Sequence, residues 1–402
     1  MHIFRSLYWD KISPFVDKPV IKVITGMRRV GKSYFLRQIA SELKKRGVPA
    51  PNILQVDMED MDYAHIRNAS ALHNYVSQNA PPLHGKIYLL VDEIQEIDNW
   101  EKAIASFHKK ENVDCYITGS NAHLLSAELA TLISGRYVEI PIYPLGFSEF
   151  RKFKGSTGAP REEDFRSYLR FGGMPAVFHF EQTEETIYQY NNAVFNTILL
   201  KDIVKRFNVR NVGLLERVAM YLFDNVGQLV SAHSISKFLK SQKIRAYPDT
   251  IAEYLGYFTA AFTTHRAQRF DIKGKRLLEI NDKYYANDLG MRHCLLGYRT
   301  GDITQLLENI VFMELLRRGF TVYIGKQADF EVDFIARKND ETKYIQVAYL
   351  LESDETRKRE VRPLIAVGDN YPKMVLSMDP LPPGDVEGIH FKNLIDFLLE
   401  NH

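Results

Sequence analysis

The chain has 402 residues, 45% hydrophobic and 25% charged, with a formal net charge of +2 at pH 7. This usage excludes a mainly disordered, collagen-like or coiled-coil chain, and the length fits about two to four domains of roughly 100–200 residues each. The balanced charge excludes a polycation, so any nucleic-acid surface has to be a local patch.

The N-terminal MHIFRSLYWDK has no long apolar run and no cleavage pattern, and nowhere do about 18 apolar residues run uninterrupted. A cytoplasmic protein without a membrane partner is expected. Cys115 and Cys294 lie far apart without CxxC or metal-ligand spacing and read as reduced core residues. In chain order, PVIKVITG (19–26) is an apolar run that ends in glycine. A helical stretch follows, with apolar residues at 35, 36, 39, 40 and 43 and a stop at Gly47. Strand-like NILQVDME (52–59), IYLLVDE (87–93), CYITGS (115–120) and VEIPIY (138–143) alternate with helices near 70–79 and 99–109. That alternation predicts a mainly parallel sheet covered on both faces. KGSTGAP (154–160) reads as a surface connection, and the periodicity over 161–207 is helical.

Gly26-Met27-Arg28-Arg29-Val30-Gly31-Lys32-Ser33 fits G-x-x-x-x-G-K-[ST] at every fixed position. A chain of this length matches by chance about 1 time in 100, and the required strand before and helix after are both predicted. Gly26 and Gly31 let the backbone turn so that N–H groups face phosphate oxygens, and the following helix adds its positive dipole end. Lys32 would reach the β/γ-phosphates and Ser33 would ligate Mg2+. Arg28, Arg29, Val30 and Tyr34 complete the expected nucleotide-binding set. Asp92 and Glu93, ending an apolar strand, fit the Mg2+-positioning acid and the base that orients the attacking water. Together these motifs predict a nucleoside triphosphatase.

The segments GMRRVGKS, LLVDEIQEI, YITGSNAHLLS, SGRYVEIPIYPLGFSEF and FGGMP resemble those of bacterial and archaeal AAA+ ATPases of the archaeal-ATPase/STAND-related branch. The similarity continues through DKYYANDLGMRH and ENIVFMELLRRG into the domain of unknown function that usually accompanies this ATPase. The resemblance implies ATP as the nucleotide. It also implies that Asn121, with Ser120 as its neighbouring candidate, senses the γ-phosphate or water, and that Arg136 is an arginine finger presented to the next subunit of a homo-oligomeric ring. The alternative for Arg136 is a surface pair with Glu139 or Glu128. Gly172-Gly173-Met174-Pro175 resembles the lid motif whose proline (Pro175) packs near adenine, the alternative being a plain helix-starting turn. Arg170 or Arg166 is the candidate second sensor.

Residues 211–290 read as a winged helix: a helix over 213–223, a capped helix after Ser231, a third over 248–258, and a wing from His265 to Arg276. Lys237, Lys240, Lys243, Arg245, Arg266, Arg269, Lys273, Lys275 and Arg276 are the candidate contacts to DNA phosphates. The recognition-position helix, DTIAEYLGYF, has two acids and no Arg or Lys, which speaks against base readout.

Residues 303–379 read helix, three strands, helix, strand, an order that resembles the PD-(D/E)XK nuclease core. Glu308, Asp333 and Gln346 occupy its motif positions. Ala348 stands where an active nuclease has lysine, and Gln346 replaces an acid, so the motif is degenerate. Lys343, Lys358 or Arg359 could substitute for the lysine; otherwise the fold serves binding or assembly, with Glu308 and Asp333 capping or pairing with Arg317 or Arg337. The histidines form no HxxxH or HxH pair and no G-x-S-x-G elbow occurs.

The expected fold class is therefore α/β. It comprises a P-loop AAA+ core with a parallel sheet (1–154), a helical lid (155–210), a winged helix (211–300) and a PD-(D/E)XK nuclease-like α/β domain (301–402). The expected function is a Mg2+-dependent ATPase that binds and remodels or translocates on DNA. The alternatives are a STAND-like nucleotide-gated switch that binds a protein partner, and an ATP-driven nuclease.

Overall fold

The computed structural model describes residues 3–81, 85–121, 133, 135–155, 158, 160–278, 281–351, 353–382 and 384–400. They fall into two compact units, one spanning Met1–Tyr143 with 260–262, the other Pro144–Thr259 and Thr263–His402.

The first unit opens with helix α1 (Ser6–Ile12) and is built on strands β1 (Ile21–Thr25), β2 (Ile53–Asp57), β3 (Ile87–Asp92), β4 (Val113–Gly119) and β5 (Tyr137–Pro141). Every pairing is parallel, in the order β2-β3-β4-β1-β5. All residues of β1 and β3 are buried, as their mainly apolar runs require for a sheet covered on both faces. Helix α2 (Lys32–Lys45) leaves the Gly-rich loop, and α3 (Ala69–Asn79) and α4 (Trp100–His108) are the other crossovers. Leu72, Val76, Ile104 and Phe107 from α3 and α4 share one core with Val23, Val56, Leu89 and Ile117 from the strands.

Lys22 on β1 and Asp114 on β4 form a fully buried ion pair. Tyr116 Oη (3.0 Å) and the Asp17 amide (3.0 Å) donate to the same carboxylate, and Lys22 Nζ also donates to the Lys18 carbonyl at 3.2 Å.

The second unit begins with α5 (Phe147–Lys154) and α6 (Arg161–Phe171). A turn at Gly172–Gly173 and a 3-10 turn at Pro175–His179 lead to α7 (Glu184–Thr197), which continues as a π-helical stretch, Ile198–Lys205. Next come α8 (Val212–Asp224), β6 (Leu229–Val230), α9 (Ala232–Ser241), α10 (Pro248–Ala260), β7 (Thr264–Ala267), β8 (Arg269–Asp271), β9 (Arg276–Leu277) and β10 (Asp282–Ala286). Strands β6, β10 and β7 form an antiparallel sheet in that order. After α11 (Leu289–Leu296) the chain runs α12 (Ile303–Arg317), β11 (Thr321–Gln327), β12 (Phe330–Lys338), β13 (Glu341–Val347), α13 (Asp354–Ala366) and β14 (Lys373–Ser377), the order read from the sequence. Strands β15 (Asp385–Val386) and β16 (Ile389–Asn393) and helix α14 (Leu394–Leu399) end the described chain.

The expected wing divides between two sheets. Its first strand, β7, pairs with β10, but β8 and β9 extend the larger sheet, β15-β16-β14-β13-β12-β11-β8-β9, with β8 parallel to β11. Burial of Phe270 accounts for this. Its ring packs into the core with Val332 and Ile335 and lies 4.2 Å below the Arg337 guanidinium. Removing that apolar area from water is worth about 2 kcal/mol.

Asp114→Ala should destabilise the first unit by about 3–5 kcal/mol, because it leaves the Lys22 ammonium buried without its counter-charge. Urea unfolding checks this, and the double change Lys22→Met with Asp114→Leu should recover most of the loss.

Candidate nucleotide site

The loop after β1 has the backbone that its glycines permit. Gly26 has φ +145°, and a Cβ there would lie 2.3 Å from the Ile142 carbonyl oxygen. Gly31, at φ +100°, caps α2, so the helix starts on Lys32. Arg29 also adopts positive φ, +65°. The buried Lys32 Nζ donates to the Gly26 and Met27 carbonyls at 3.1 and 3.2 Å and stands 3.5 Å from Glu93 Oε1. Arg28 lies 3.5 Å from Glu59, whereas Arg29 and Tyr34 face solvent.

Asp92 and Glu93 end β3, and β4 stands between β3 and β1, so Thr118 on β4 reaches both acids. Its hydroxyl donates to Asp92 Oδ1 and accepts the Glu93 amide at 2.9 Å. Burial pushes the Asp92 carboxyl above its usual range, against hydrogen bonds from Ser33 and Thr118. Burial acts on Glu93 in the same sense, but the Lys32 ammonium, a bond from Gln95 and the Arg28 charge hold it below the ordinary carboxylate range. Glu93 sits at φ +50°, a left-handed conformation that glutamate rarely adopts. This non-glycine outlier lies at the group that chemistry would use. Ser120 and Asn121 follow β4 and are buried. Arg136 precedes β5 and is exposed; Glu139 accepts from Thr25 Oγ1 at 2.6 Å, and Glu128 lies outside the described residues.

The arrangement fits a nucleotide with Mg2+. A buried ammonium and a helix start face the glycine loop, while the Ser33 hydroxyl and the Asp92 carboxylate offer adjacent hard oxygen donors.

Arg5 is a contributor that sequence spacing did not reveal. Its buried guanidinium donates to the carbonyls of Val30 in the loop and Tyr143 beyond β5, both at 3.0 Å, and lies 4.4 Å from the Tyr8 ring centre. Thr118 is likewise unmarked in the sequence, because only strand order brings it to the acids, whereas Gln95 reaches Glu93 from the turn directly after it.

In the second unit, Gly172 and Gly173 are clamped by Asp288. The Gly173 amide donates to Asp288 Oδ2 at 2.6 Å, and a Cβ on Gly172 would lie 2.4 Å from Oδ1. Pro175 opens the 3-10 turn after this clamp. Arg170 pairs with Glu184 at 2.7 Å and Arg166 is exposed. Lys237, Lys240, Lys243 and Arg245 are exposed on α9 and the turn after it, with Arg245 5.1 Å from the Tyr247 ring centre. Arg266 pairs with Asp282 at 2.6 Å, Arg269 lies in β8, and Lys273, Lys275 and Arg276 are exposed. Glu308, Asp333 and Gln346 come together but do not meet Arg317 or Arg337. Arg317 bonds Glu314 and the Pro144 carbonyl, Lys343 pairs with Glu341, and Arg359 pairs with Glu360. The cation among the motif residues is Lys283.

Comparison with known proteins finds an AAA domain over residues 18–151 and a domain of unknown function (DUF8612) over 162–302. An uncharacterised protein of Haemophilus influenzae is 39% identical over 401 residues, covering 99% of each chain. An uncharacterised protein of Methanocaldococcus jannaschii is 31% identical over 85% of this chain and 77% of its own. Among solved structures, a Walker-type ATPase of Pyrococcus abyssi has a TM-score of 0.52 at 12% identity, covering 74% of this chain and 96% of its own. That likeness speaks for the fold alone. Among the described residues, no helix is long and apolar enough to cross a membrane.

Arg5→Ala should weaken binding of a fluorescent ATP analogue about tenfold or more, since the lost charged hydrogen bond to the Val30 carbonyl contributes roughly 1.5–3 kcal/mol to the loop's order. A titration of the two proteins checks it. Burial pushes the Asp288 carboxyl up to about 6. The folded state therefore holds that proton more tightly than the unfolded chain, and its stabilising effect fades as pH rises from about 4 to 6. Asp288→Asn removes this slope: unfolding at pH 4.5 and 7.5 should show wild type losing about 2 kcal/mol relative to the variant.

Proposed function

We propose that this chain, which belongs to one family with the uncharacterised Haemophilus influenzae and Methanocaldococcus jannaschii proteins and carries an AAA domain, is a Mg2+-dependent ATPase that acts on DNA. The observation that carries the ATPase reading is the three-part contact of Lys32, Glu93 and the Thr118-bridged Asp92. Lys32 binds the β/γ-phosphates, and Ser33 and Asp92 hold Mg2+, which when bound neutralises phosphate charge. Glu93, kept ionised by Lys32, orients the attacking water and accepts its proton. Gln95 fixes that carboxylate's direction. Asn121 serves as the polar sensor, and the exposed Arg136 is donated to a neighbouring subunit.

For DNA, the supporting feature is the basic edge of α9. Lys237, Lys240, Lys243 and Arg245 face solvent and form no ion pair with the described residues. Taken with α8, α10 and the β6-β10-β7 sheet as a winged helix, this edge would hold phosphates without reading bases. A second reading, a nucleotide-gated switch with a protein partner, is favoured by one observation. The outer part of the wing is built into another sheet through the β8–β11 pairing.

Glu93→Gln should retain ATP binding and lose about 10²–10⁴-fold in turnover, measured with and without duplex or branched DNA. DNA stimulation that disappears in the variant supports the DNA reading; turnover indifferent to DNA transfers support to the switch. Reversing charge at Lys237 and Lys240 together should weaken DNA binding and flatten the log–log salt slope by about 2. Unchanged binding removes α9 from the interface.

A further inference from the structure

The C-terminal motif read as a degenerate metallonuclease centre implies a divalent ion, and its residues can be tested against one. They do not fit. Asp333 Oδ2 accepts the Val347 amide at 2.8 Å. Gln346 Oε1 accepts the Asp333 amide at 3.3 Å, and Gln346 Nε2 donates to Glu360 at 3.4 Å. Glu308 Oε1 takes Tyr285 Oη at 2.5 Å and Lys283 Nζ at 2.9 Å. Among the described residues no group of three His, Cys, Asp or Glu side chains is disposed to hold a metal.

The positive charge at this place belongs to the chain. Lys283 projects from β10, the central strand of the β6-β10-β7 sheet, and its Nζ also lies 2.8 Å from Glu331 on β12. One ammonium thus joins a strand of the three-helix module to α12 and β12 of the α/β module. Tyr285, two residues along and therefore on the same face of β10, reinforces the join: its ring stacks on Phe312 at 4.1 Å. Asn309 on α12 exchanges hydrogen bonds with both backbone groups of Ala286. Lys283, Glu308, Asp333 and Gln346 are each at most 9% exposed, so a duplex backbone has no path to them.

We infer that Lys283 is the resident cation of this motif: its ammonium takes the place of a divalent ion between the carboxylates, so the C-terminal unit neither loads metal nor cleaves nucleic acid. The constellation instead fastens the three-helix module to the α/β module. This inference is independent of the nucleotide site and of the DNA reading.

The test uses the full chain, free of nucleotide. Bound Mn2+ is counted from the electron paramagnetic resonance signal of the free ion, in wild type and in Glu308→Gln. Equal counts are expected; a Mn2+ ion lost with Glu308→Gln would overturn the inference. Plasmid nicking by wild type in Mn2+ that disappears in Asp333→Asn would overturn it too. A double-mutant cycle then reads the fastening. Lys283→Met and Glu308→Gln should each raise the unfolding equilibrium constant about tenfold or more, and the double variant should lose less stability than the two together. Strictly additive losses would show that Lys283 and Glu308 are not coupled and would sink the proposal. If the Lys283→Met protein alone does not fold, recovery of a folded chain in the double variant is the supporting result, and its failure to fold the opposing one.

Discussion

Parallel strand alignment is the constraint on which the nucleotide site depends. Thr25 pairs with Gly119 and with Pro141, and Asp57 pairs with Asp92, so the strands release their loops along one edge. Because β4 lies between β1 and β3, Lys32 and the two acids approach across the end of an intervening strand. A neutral hydroxyl, Thr118, fills that gap and ties Asp92 to the Glu93 backbone. An aliphatic side chain of the same shape would leave both a buried carboxylate oxygen and a buried amide unpaired, at about 1–3 kcal/mol each.

That geometry needs backbone conformations that cost energy. Positive φ at Arg29 and Glu93 costs on the order of 1–3 kcal/mol each. Two cations hold the loop: Arg5, from outside it, on the Val30 carbonyl, and Lys32 on the carbonyls of its own loop. Loop carbonyls are thereby occupied by cations, which leaves the loop's amides as the groups available to an anion. Glu93 gains twice from the same arrangement, since Lys32 both fixes its position and keeps it ionised.

The glycine loop, its lysine, and the two acids were legible in the sequence because each is a contiguous run whose meaning is local. The strand alternation around them is legible for the same reason: β1 and β3 are buried on both faces and read as apolar runs, and the one charge inside β1, Lys22, is tolerated because Asp114 pairs with it. Arg5, Thr118 and Lys283 were not legible. Each acts on residues 25 or more positions away, and nothing in its neighbours distinguishes it from an ordinary arginine, threonine or lysine. The stretch from His265 to Arg276 was read by its charges, yet the apolar Phe270 in its middle decides which sheet receives it. The sequence offers Lys343, Lys358 and Arg359 as substitutes for the lysine of the nuclease-like motif. The cation came instead from β10, outside the span that the motif defines.

That displacement bears on where the chain divides. A boundary at residue 300 follows the sequence pattern, since the strand-helix order changes there. Mechanically the two sides are continuous: β8 pairs with β11, Lys283 bonds α12 and β12, and Asn309 closes onto Ala286. These contacts bury a lysine with the Glu308 carboxylate, beside the half-buried Glu331, an arrangement that loses heavily if its partners separate, because the buried charges would then remain partly desolvated without each other. Separation therefore has to expose the whole cluster to water at once. Under the proposed function, a nucleotide-driven movement acts on this unit as a single body, and the three-helix module cannot swing against the α/β module within the cycle.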